Sequence, residues 1–454
     1  MNRRLAIVLG FGAAVLVVGA ALAASDPSKD ADDLISHILK DDGPRAQPAP
    51  PPPAVGSPGT PAPAKPPSGP LPIVMGARIG EHEDRTRFVV EMSDPVQMRV
   101  FTLANPDRVV IDMPAVQWHL DGPPRPTGNG AVKSYRYGLV RSGNSRFVID
   151  LNKPMKVSDP LVLPPSGGYG YRVVIDLFPV SPDQFAHNSG WPADLKAREA
   201  AAEQLASIPT QPIAPTPEKH IVVIDAGHGG IDTGTSGVNG LQEKDLVLDE
   251  ALRLGRELVR RGNYTVHLTR DTDVFIPLKE RVAIARSWHA DLFISLHADS
   301  NPDPNVNGLS IYTLSERGSD KEAAALASKE NQSDVIAGVD LSGGNSTVAP
   351  ILIDLAQRDT MNRSTRFANG AVASLTGATD ILPRQPHRAA AFVVLKAPDV
   401  PAVLIELGYL SNQGDAGQMN SVRWRNGVAK AIGQAVDGYF NPGGVPTAAY
   451  PQSP

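Results

Sequence analysis

Two histidines follow two apolar segments of the chain, each at the point where a predicted strand ends. His228 stands in the glycine-rich turn DAGHGG after the strand 221–225, and His297 follows the strand 291–296. A lone histidine is more often structural than a ligand, but two imidazoles at equivalent strand ends can hold one divalent ion, and neutral imidazole suits zinc. The chain has no cysteine, so any metal site must use histidine, aspartate or glutamate.

Two glutamates are candidates to complete such a site. Glu243 opens a helix predicted over about 243–261, and it would be the third protein ligand that a catalytic zinc usually has. The alternative is that Glu243 only favours the positive end of its helix. Glu406 lies inside the apolar strand 402–407, where a carboxylate is costly to desolvate unless it is used or paired. We expect a general base or acid with a raised pKa there; the alternative is a buried ion pair, for example with Lys396.

Two other kinds of site are excluded by the spacing around His228. A G-x-G-x-x-G motif counted from Gly227 would need a glycine where Asp232 stands, and no G-K-[ST] sequence is present, so this turn is not a phosphate-binding loop. The triplet that begins at Asp232 is the D-T-G of aspartic proteases, but the chain has no second D-[ST]-G. The glycines instead allow a sharp turn that presents His228.

Alternating strands and helices must position these residues. Strands are predicted over 221–225, 264–268, 291–296, about 308–313, 392–395 and 402–407, and helices over about 243–261, 278–288 and 421–439. Apolar strands that alternate with helices indicate an α/β domain, a mixed sheet layered between helices of the phosphorylase/hydrolase-like kind. Side chains that follow such strands gather at one edge of the sheet.

An upstream region repeats one strand pattern four times. A basic residue, apolar β-formers, an acid and an apolar residue recur at 87–92, 108–113, 146–151 and 172–177, each followed within a few positions by proline. The pattern is typical of strands that end in turns, and the spacing leaves room for partner strands. We therefore expect an all-β, antiparallel sandwich over 72–180.

Composition gives the rest of the organisation. The net charge of −5 argues against a nucleic-acid binder. Residues 1–23 are typical of a secretory signal peptide, an uncleaved anchor being the alternative, and no later apolar run predicts a membrane span in the mature chain. We expect a proline-rich linker over 24–71, a second linker over 181–218, a catalytic domain over 219–441 and a tail over 442–454.

Both folded regions resemble known families. In the C-terminal region, DAGHGG (225–230), GLQEKD (240–245), LKERVAIARSWHADLFISLHAD (278–299) and LKAPDVPAVLIELGYLSN (395–412), in this order, resemble the zinc-dependent N-acetylmuramoyl-L-alanine amidases of bacterial cell-wall turnover. The upstream region, with RFVVEMSDP and PDRVVIDMP, resembles the AMIN domain, a β sandwich of exported cell-wall proteins. The second resemblance implies targeting to peptidoglycan or to the division site.

The amidase resemblance implies a set of roles. His228, Glu243 and His297 match the zinc ligands of the family, and Glu406 matches its catalytic glutamate. The implied reaction, in the periplasm, is hydrolysis of the bond between N-acetylmuramic acid and L-alanine in peptidoglycan, for separation of daughter cells. A wall-binding module with an inactive hydrolase domain is one alternative. Another zinc hydrolase of the same substrate, a peptidase or a sugar deacetylase, is the second.

Other polar residues near these motifs have candidate roles as well. Asp225 and Asp299 are candidates for orienting the imidazoles, with capping or turn bonding as the alternative. Arg270, Arg281 and His387 could contact an anionic substrate, although Arg281 on its helix is better explained as structural.

An insert lies between the second histidine motif and Glu406. Over about 319–366 we predict a helix at 320–331, a loop, and a helix at 351–368. The segment resembles the regulatory insert of division-associated amidases, which implies autoinhibition and an exported LytM-type activator as partner. Glu330 is our candidate for an acid that reaches the metal; the alternative is a solvated, charged helix face.

Overall fold

The computed structural model describes residues 70–120, 130–141, 143–207, 219–339 and 351–441. The predicted signal peptide, nearly all of the proline-rich linker and the predicted tail lie outside these residues. Among the described residues, no helix combines the length and the apolar character needed to cross a bilayer.

Two β sheets, packed face to face, form the first domain, called here the β domain. Its strands are β1 Ile73–Glu81, β2 Thr86–Met92, β3 Arg99–Leu103, β4 Arg108–Pro114, β5 Gln117–Trp118, β6 Val132–Leu139, β7 Asn144–Leu151, β8 Met155–Val157, β9 Leu161–Leu163 and β10 Tyr171–Pro179. The first sheet has the order β5-β1-β2-β10-β8, with β9 also on β10, and the second has the order β3-β4-β7-β6. All four repeated segments are strands, and the all-β sandwich is confirmed; the short β1–β5 pairing is parallel.

The alternation of side chains along the repeated strands gives each sheet two faces. Phe88 and Val90 of β2 pack against Ile111 of β4 and Phe147 of β7 between the sheets. The intervening residues of β4 and β7 point away from this core. In the second sheet those residues are buried too, because residues 182–207, called here the connector, and the C-terminal domain cover its outer face.

The segment predicted as a linker after the β domain begins with two packed helices, α1 Pro182–Asn188 and α2 Ala193–Ser207. The packing of these helices was not predicted. Trp191 and Leu195 are buried on the outer face of the second sheet. Lys279 of the C-terminal domain lies 3.4 Å from the carboxylates of Glu199 and Glu203 in α2. The connector therefore contacts both domains.

The C-terminal domain is a six-stranded mixed sheet between helices, as predicted. Its strands are β11 His220–Ala226, β12 Tyr264–Leu268, β13 Leu292–His297, β14 Ser310–Leu314, β15 His387–Ala390 and β16 Ala402–Glu406. Its helices are α3 Glu243–Arg261, α4 Leu278–Ser287, α5 Lys321–Glu330, α6 Ser333–Ile336, α7 Ile351–Leu375, α8 Gln413–Met419 and α9 Val422–Phe440. The sheet order is β12-β11-β13-β16-β14-β15, and β14 runs antiparallel to β16.

Two apolar cores lie on opposite faces of this sheet. The larger joins alternate residues of β11, β13 and β16 to α3, α7 and α9. The smaller joins the other residues of these strands to α4 and to Ala323 and Ala327 of α5. The strands are buried on both faces, which is why they read as continuous apolar runs.

One predicted strand is wrong. Val393–Leu395 form a single 3₁₀ turn, and the edge strand is β15, a few residues upstream. Phe392, Val394 and Leu395 are buried in the smaller core. The apolar run therefore reflects burial, which periodicity cannot distinguish from a short strand.

The two domains contact each other directly. The carbonyl of Leu139 accepts hydrogen bonds from the amides of Phe275 (3.2 Å) and Ile231 (3.3 Å). Arg141, just after β6, forms a buried ion pair with Glu280 of α4. The β domain is therefore held on the side of the C-terminal domain that carries the DAGHGG turn.

Candidate metal centre

The residues predicted to bind a metal or to transfer a proton lie together at the carboxyl edge of three adjacent parallel strands. His228 follows β11, and the register of β13 and β16 pairs His297 with Glu406. Because β13 lies between β11 and β16, the three side chains converge on one point above the sheet.

Two imidazoles and two carboxylates meet at this point. Nε2 of His228 lies 3.1 Å from Oε1 of Glu243 and 3.3 Å from Oε2 of Glu330. Nδ1 of His297 lies 3.3 Å from the same oxygen of Glu243 and 3.1 Å from that of Glu330. All four residues are buried, with at most 6% exposure.

This arrangement fits a zinc ion. Nε2 of His228, Nδ1 of His297 and Oε1 of Glu330 are buried and have no hydrogen-bond partner, which is costly unless something else binds them. Ligand atoms of these three residues all lie within 4.8 Å of one another. The four nitrogen–oxygen distances of 3.1–3.3 Å are close to the separation of roughly 3.3 Å between ligands in a tetrahedral site with zinc bonds of about 2.0 Å.

The opposite charges of the imidazoles and the carboxylates stabilise one another's ionised forms. Burial alone would lower the pKa of His228, but Glu243, Asp232 and Glu330 raise it well above the ordinary value. For His297, Glu330 and Glu243 outweigh burial and bring the pKa to about 10. Burial is likewise outweighed at Glu243, whose pKa the two imidazoles hold well below the usual range.

Glu243 is both the first residue of α3 and a member of the site. Its Oε2 accepts a hydrogen bond from the amide of Thr235 and its Oε1 one from the amide of Ala298, both at 2.8 Å. The carboxylate is therefore fixed between two loops, with Oε1 also facing the imidazoles. In the alternative considered above, the carboxylate of Glu243 stabilises the positive N-terminus of α3. This interaction is compatible with a role of Glu243 as a metal ligand.

Asp232 orients His228, a role that was not predicted from the sequence. Its Oδ2 lies 2.8 Å from Nδ1 of His228 and also accepts a hydrogen bond from Ser333. The available signal was an acid four residues after the histidine in the same turn. Gly227 is required nearby, because a Cβ there would lie 2.4 Å from Cε1 of His297.

Asp225 does not contact an imidazole through a hydrogen bond, contrary to its predicted role. Its oxygens accept hydrogen bonds from Thr269 (2.6 Å), Ser295 (2.7 Å) and Arg281 (2.9 Å). Burial would raise the pKa of Asp225, but Arg281 and the two hydroxyls lower it. Asp225 is an anchor between β11, β13 and α4.

Arg270 and Arg281 hold the DAGHGG turn rather than a substrate. Arg270 donates to the carbonyls of Ala226 (2.9 Å) and Gly227 (2.8 Å), and Arg281 donates to those of Ala226 and His228, both at 2.7 Å. Burial lowers the pKa of Arg270 to about 10. The structural interpretation of Arg281 agrees with these contacts, and the substrate role considered for Arg270 is not supported.

His387 lies on the edge strand β15 and is engaged elsewhere. Its Nε2 lies 3.0 Å from Oγ1 of Thr313 and its Nδ1 lies 2.9 Å from Oδ1 of Asn369. Both ring nitrogens therefore have partners outside the metal centre, and burial lowers the pKa of the ring.

Glu406 has the surroundings of a proton-transfer group. It is fully buried; Oε2 accepts a hydrogen bond from the amide of Asp299 at 3.0 Å, whereas Oε1 has no partner. Burial raises its pKa well above the ordinary value; His297 opposes this, and Asp299 is among the acids that add to it. Among the described residues, no lysine or arginine forms an ion pair with Glu406, so the predicted alternative of a pair with Lys396 is wrong.

Asp299 lies beside the centre and binds a lysine. It accepts hydrogen bonds from Thr235 Oγ1 and from the amide of Ser300, both at 2.6 Å, and forms an ion pair with Lys329. Its side chain is 1% exposed. Asp299 forms no hydrogen bond to an imidazole and is paired with Lys329 instead, so the orienting role considered for it is not supported.

Residues 321–339, called here the plug segment, cover the centre. They comprise α5, α6 and the turn that follows. Glu330 is 5% exposed, so it does not lie on a solvated helix face. Burial would raise its pKa, but His297 and His228 hold it at about 2. The plug segment thus places an ionised carboxylate on the centre and an ammonium group on Asp299.

Two parts of the chain match known families. Residues 222–438 match the family model described as N-acetylmuramoyl-L-alanine amidase, and residues 76–162 match the AMIN domain. The chain is 32% identical over 391 residues to N-acetylmuramoyl-L-alanine amidase AmiC of Escherichia coli O6:H1, which covers 82% of this chain and 90% of that protein.

Two further relatives give the same result. The identity to AmiC of Neisseria meningitidis serogroup B is 32% over 380 residues, with 82% of this chain and 90% of that protein covered. The identity to N-acetylmuramoyl-L-alanine amidase AmiA of Escherichia coli K12 is 38% over 224 residues, with 49% and 77% covered.

Proposed function

This chain belongs to the N-acetylmuramoyl-L-alanine amidase family, and from that premise we propose that it cleaves its substrate with a zinc ion held by His228, Glu243 and His297. The enzyme is a peptidoglycan amidase of the type that acts in cell separation. The bond cleaved joins N-acetylmuramic acid to L-alanine. The observation that carries the zinc proposal is the convergence of two unpaired, buried imidazole nitrogens on the Glu243 carboxylate.

The chemistry that zinc supplies when bound is Lewis acidity toward a water molecule and an amide carbonyl. The protein supplies the positioning and the proton transfer. Asp232 fixes the ring of His228 through Nδ1, which leaves Nε2 for the metal. The amides of Thr235 and Ala298 fix the carboxylate of Glu243.

We assign proton transfer to Glu406. Its Oε1 is free and its Oε2 is held by the amide of Asp299, so one oxygen can accept a proton from the attacking water. The raised pKa lets the same group keep that proton and deliver it to the leaving nitrogen. Glu406 pairs with His297 in the strand register, which keeps it beside the centre.

We propose further that the plug segment inhibits the enzyme. A catalytic zinc site needs three protein ligands and one open position. Oε2 of Glu330, 3.1 Å from Nδ1 of His297 and 3.3 Å from Nε2 of His228, would be a fourth ligand atom to the zinc ion. At the same time, Lys329 forms an ion pair with Asp299. Activity then requires withdrawal of the plug segment, and the proposed partner for this step is an exported LytM-type activator.

The place of action follows from the substrate. Peptidoglycan lies outside the cytoplasmic membrane, so we propose export by the signal peptide at 1–23 and action in the periplasm. We propose that the β domain, which matches the AMIN family over 76–162, brings the enzyme to the wall.

Product analysis tests the proposed reaction. Purified peptidoglycan is digested with the full chain and with its Glu330→Gln variant, and zinc is quantified in both proteins. We expect intact stem peptides with a free L-alanine amino terminus. Release of acetate, or cleavage within the stem peptide, would instead identify a deacetylase or a peptidase.

A further inference from the structure

The end of the plug segment lies on the second sheet of the β domain. Nη1 of Arg146, on β7, donates to the carbonyls of Ala337 (2.9 Å) and Gly338 (3.3 Å). Nη1 of Arg108, on β4, donates to the carbonyl of Val335 at 2.8 Å. These contacts join two strands of one domain to a single turn of the other.

Two more side chains complete this contact. Nε of Arg136, on β6, donates to the carbonyl of Ile336, and its Nη2 lies 3.5 Å from the carbonyl of Val335. Nε1 of Trp191 donates to the carbonyl of Gly338 at 3.2 Å. Every residue from 335 to 338 therefore has a carbonyl bound by a side chain from outside the C-terminal domain.

The chemistry of the contact is that of a helix terminus. The last carbonyls of a helix lack intrahelical partners and carry partial negative charge, so guanidinium groups there are favourable. Arg108 and Arg146 are at most 1% exposed. Arg146 also forms two hydrogen bonds to Asp112, at 2.5 and 2.8 Å, which fix its direction and neutralise its charge.

Apolar packing brings the two backbones close together. Ala337 and Val339 are buried in one cluster with Val110 and Val148 of the second sheet. Gly338 has a φ of +71°, and a Cβ there would lie 2.9 Å from Cγ2 of Val148 and 3.1 Å from Cγ2 of Val110. The turn seats on the sheet only because residue 338 has no side chain.

The repeated strand pattern supplies a comparison within the same domain. In the first sheet the equivalent basic and acidic positions form the pair Arg87–Asp176, with two bonds of 2.7 Å. The Arg87 side chain is 37% exposed, whereas that of Arg146 is fully buried. The same motif thus makes an exposed pair in one sheet and a buried contact with the plug segment in the other.

We propose that the second sheet of the β domain clamps the plug segment onto the metal centre, so that the β domain controls access to the active site. This inference rests on the proposed inhibition by Glu330. Only residues 331–334 separate Glu330 from Val335, the first residue of the clamped turn. On the way, Ser333 donates to Asp232, and Asp334 accepts from the amide of Leu278 at 2.9 Å. Loss of the clamp leaves the plug segment with its contacts to the C-terminal domain alone.

The first test removes one clamp residue in the full-length chain. Arg136 is suited because its side chain is 20% exposed, so its loss endangers the fold less than loss of a buried arginine. For Arg136→Ala we expect a roughly tenfold rise in peptidoglycan hydrolysis, the change that loss of one charge-assisted hydrogen bond produces. We also expect faster hydrogen exchange of amides 321–339. Arg87→Ala, the matched control, should change neither.

The second test displaces the turn in the otherwise unchanged chain. Gly338→Ala adds a Cβ that would lie 2.9 Å from Cγ2 of Val148, so the turn can no longer seat on the sheet, and we expect hydrolysis to rise and amides 321–339 to exchange faster. Gly377→Ala is the matched control, because Gly377 also has a positive φ, of +93°, but an added Cβ there would meet no atom within 4 Å. The control should change neither quantity, and this pair of variants decides if Arg136→Ala does not fold.

Glu330→Gln, measured in parallel, separates the two proposals. If it raises hydrolysis while the folded clamp variants leave hydrolysis and exchange unchanged, the clamp is rejected and inhibition by Glu330 stands. If Glu330→Gln leaves hydrolysis unchanged, inhibition by Glu330 is rejected, and control of access by the β domain falls with it. Exchange of amides 321–339 then still reports whether the sheet holds the segment. Equal hydrolysis and equal exchange for Gly338→Ala and Gly377→Ala would also overturn the clamp.

Discussion

Oε2 of Glu330 lies 3.1 Å from Nδ1 of His297, although one residue ends α5 and the other ends β13. The imidazoles hold the pKa of Glu330 at about 2 against the effect of its burial. The carboxylate is therefore ionised throughout the physiological pH range and would compete with water for the proposed zinc ion.

Replacing Glu330 by glutamine should activate the enzyme. The amide keeps the shape of the side chain but loses the charge that binds a metal and pairs with the imidazoles, so we expect at least a roughly tenfold rise in peptidoglycan hydrolysis. Glu322→Gln, an exposed acid on the same helix that pairs with Arg388, is the control and should leave the rate unchanged. Equal rates for the two variants would contradict inhibition by Glu330.

Removal of a metal ligand should remove the metal. We expect His297→Ala to lose bound zinc and hydrolysis together, because two protein ligands hold zinc far less well than three. Chelation of the Glu330→Gln variant should likewise abolish its hydrolysis, and added zinc should restore it. His267→Ala is the control, since His267 stacks on Trp288 away from the centre. Metal analysis by mass spectrometry checks this; full zinc content in His297→Ala would refute the assignment.

Glu406→Gln should lose turnover and keep zinc. In the Glu330→Gln background we expect hydrolysis to fall by roughly 10²–10⁴-fold, the usual contribution of a general acid–base group. Glu250→Gln is a matched control, because Glu250 is also a fully buried carboxyl whose pKa burial raises, to about 8, but it lies on α3 outside the centre. Turnover retained in Glu406→Gln would exclude its role in proton transfer.

Asp334 should make the folded protein less stable against unfolding as the pH rises. Burial raises its pKa to about 7; Glu199 and Glu280 add to the rise, while Arg281 and the amide of Leu278 oppose it. The folded-state pKa exceeds the unfolded value of about 3.9, so the folded form binds the proton more tightly. Its contribution is complete below pH 4 and is lost as the pH rises through about 7.

The measurement for Asp334 is the free energy of unfolding in urea between pH 5 and 8. We expect this group to lower it by at most about 1.4 kcal/mol per pH unit. Asp334→Asn should remove that slope while keeping a side chain that can accept from the amide of Leu278. The same slope in both proteins would assign it to other groups.

Arg281→Ala should destabilise the C-terminal domain by roughly 3–5 kcal/mol, because it leaves Asp225 buried without its cation. It also removes hydrogen bonds to the carbonyls of Ala226 and His228. Arg260→Ala, whose side chain is 67% exposed, should stay within about 0.5 kcal/mol. Urea denaturation distinguishes the two; a loss below 1 kcal/mol for Arg281→Ala would contradict its anchoring role.

The sequence allowed prediction of the sheet and of the residues at its edge for a simple physical reason. Residues that directly follow buried parallel strands converge, so His228, His297 and Glu406 were found from their positions after or within apolar runs. The prediction of a strand at 392–395 was wrong for the same reason. An apolar run indicates that a segment is buried, but not whether it is a strand or a helical turn.

Contacts between distant elements could not be predicted in this way. The basic and acidic positions of the repeated strands look alike in sequence, yet Arg146 is buried against the plug segment while Arg87 is exposed. Nothing local to either strand distinguishes them, because the difference comes from which sheet the C-terminal domain covers. For the same reason the orienting role was predicted for Asp225, whose partner is Arg281 on another element, and not for Asp232, which binds His228.

The brevity of α6 has a mechanical consequence. Only residues 331–334 lie between Glu330, at the metal centre, and Val335, which the β domain binds. So short a segment cannot stretch, so a displacement of the turn must also move Glu330. A force that pulled the β domain away from the C-terminal domain would therefore act directly on Glu330. If the β domain is held at the wall, as proposed above, tension in the wall would act on the metal centre by this route.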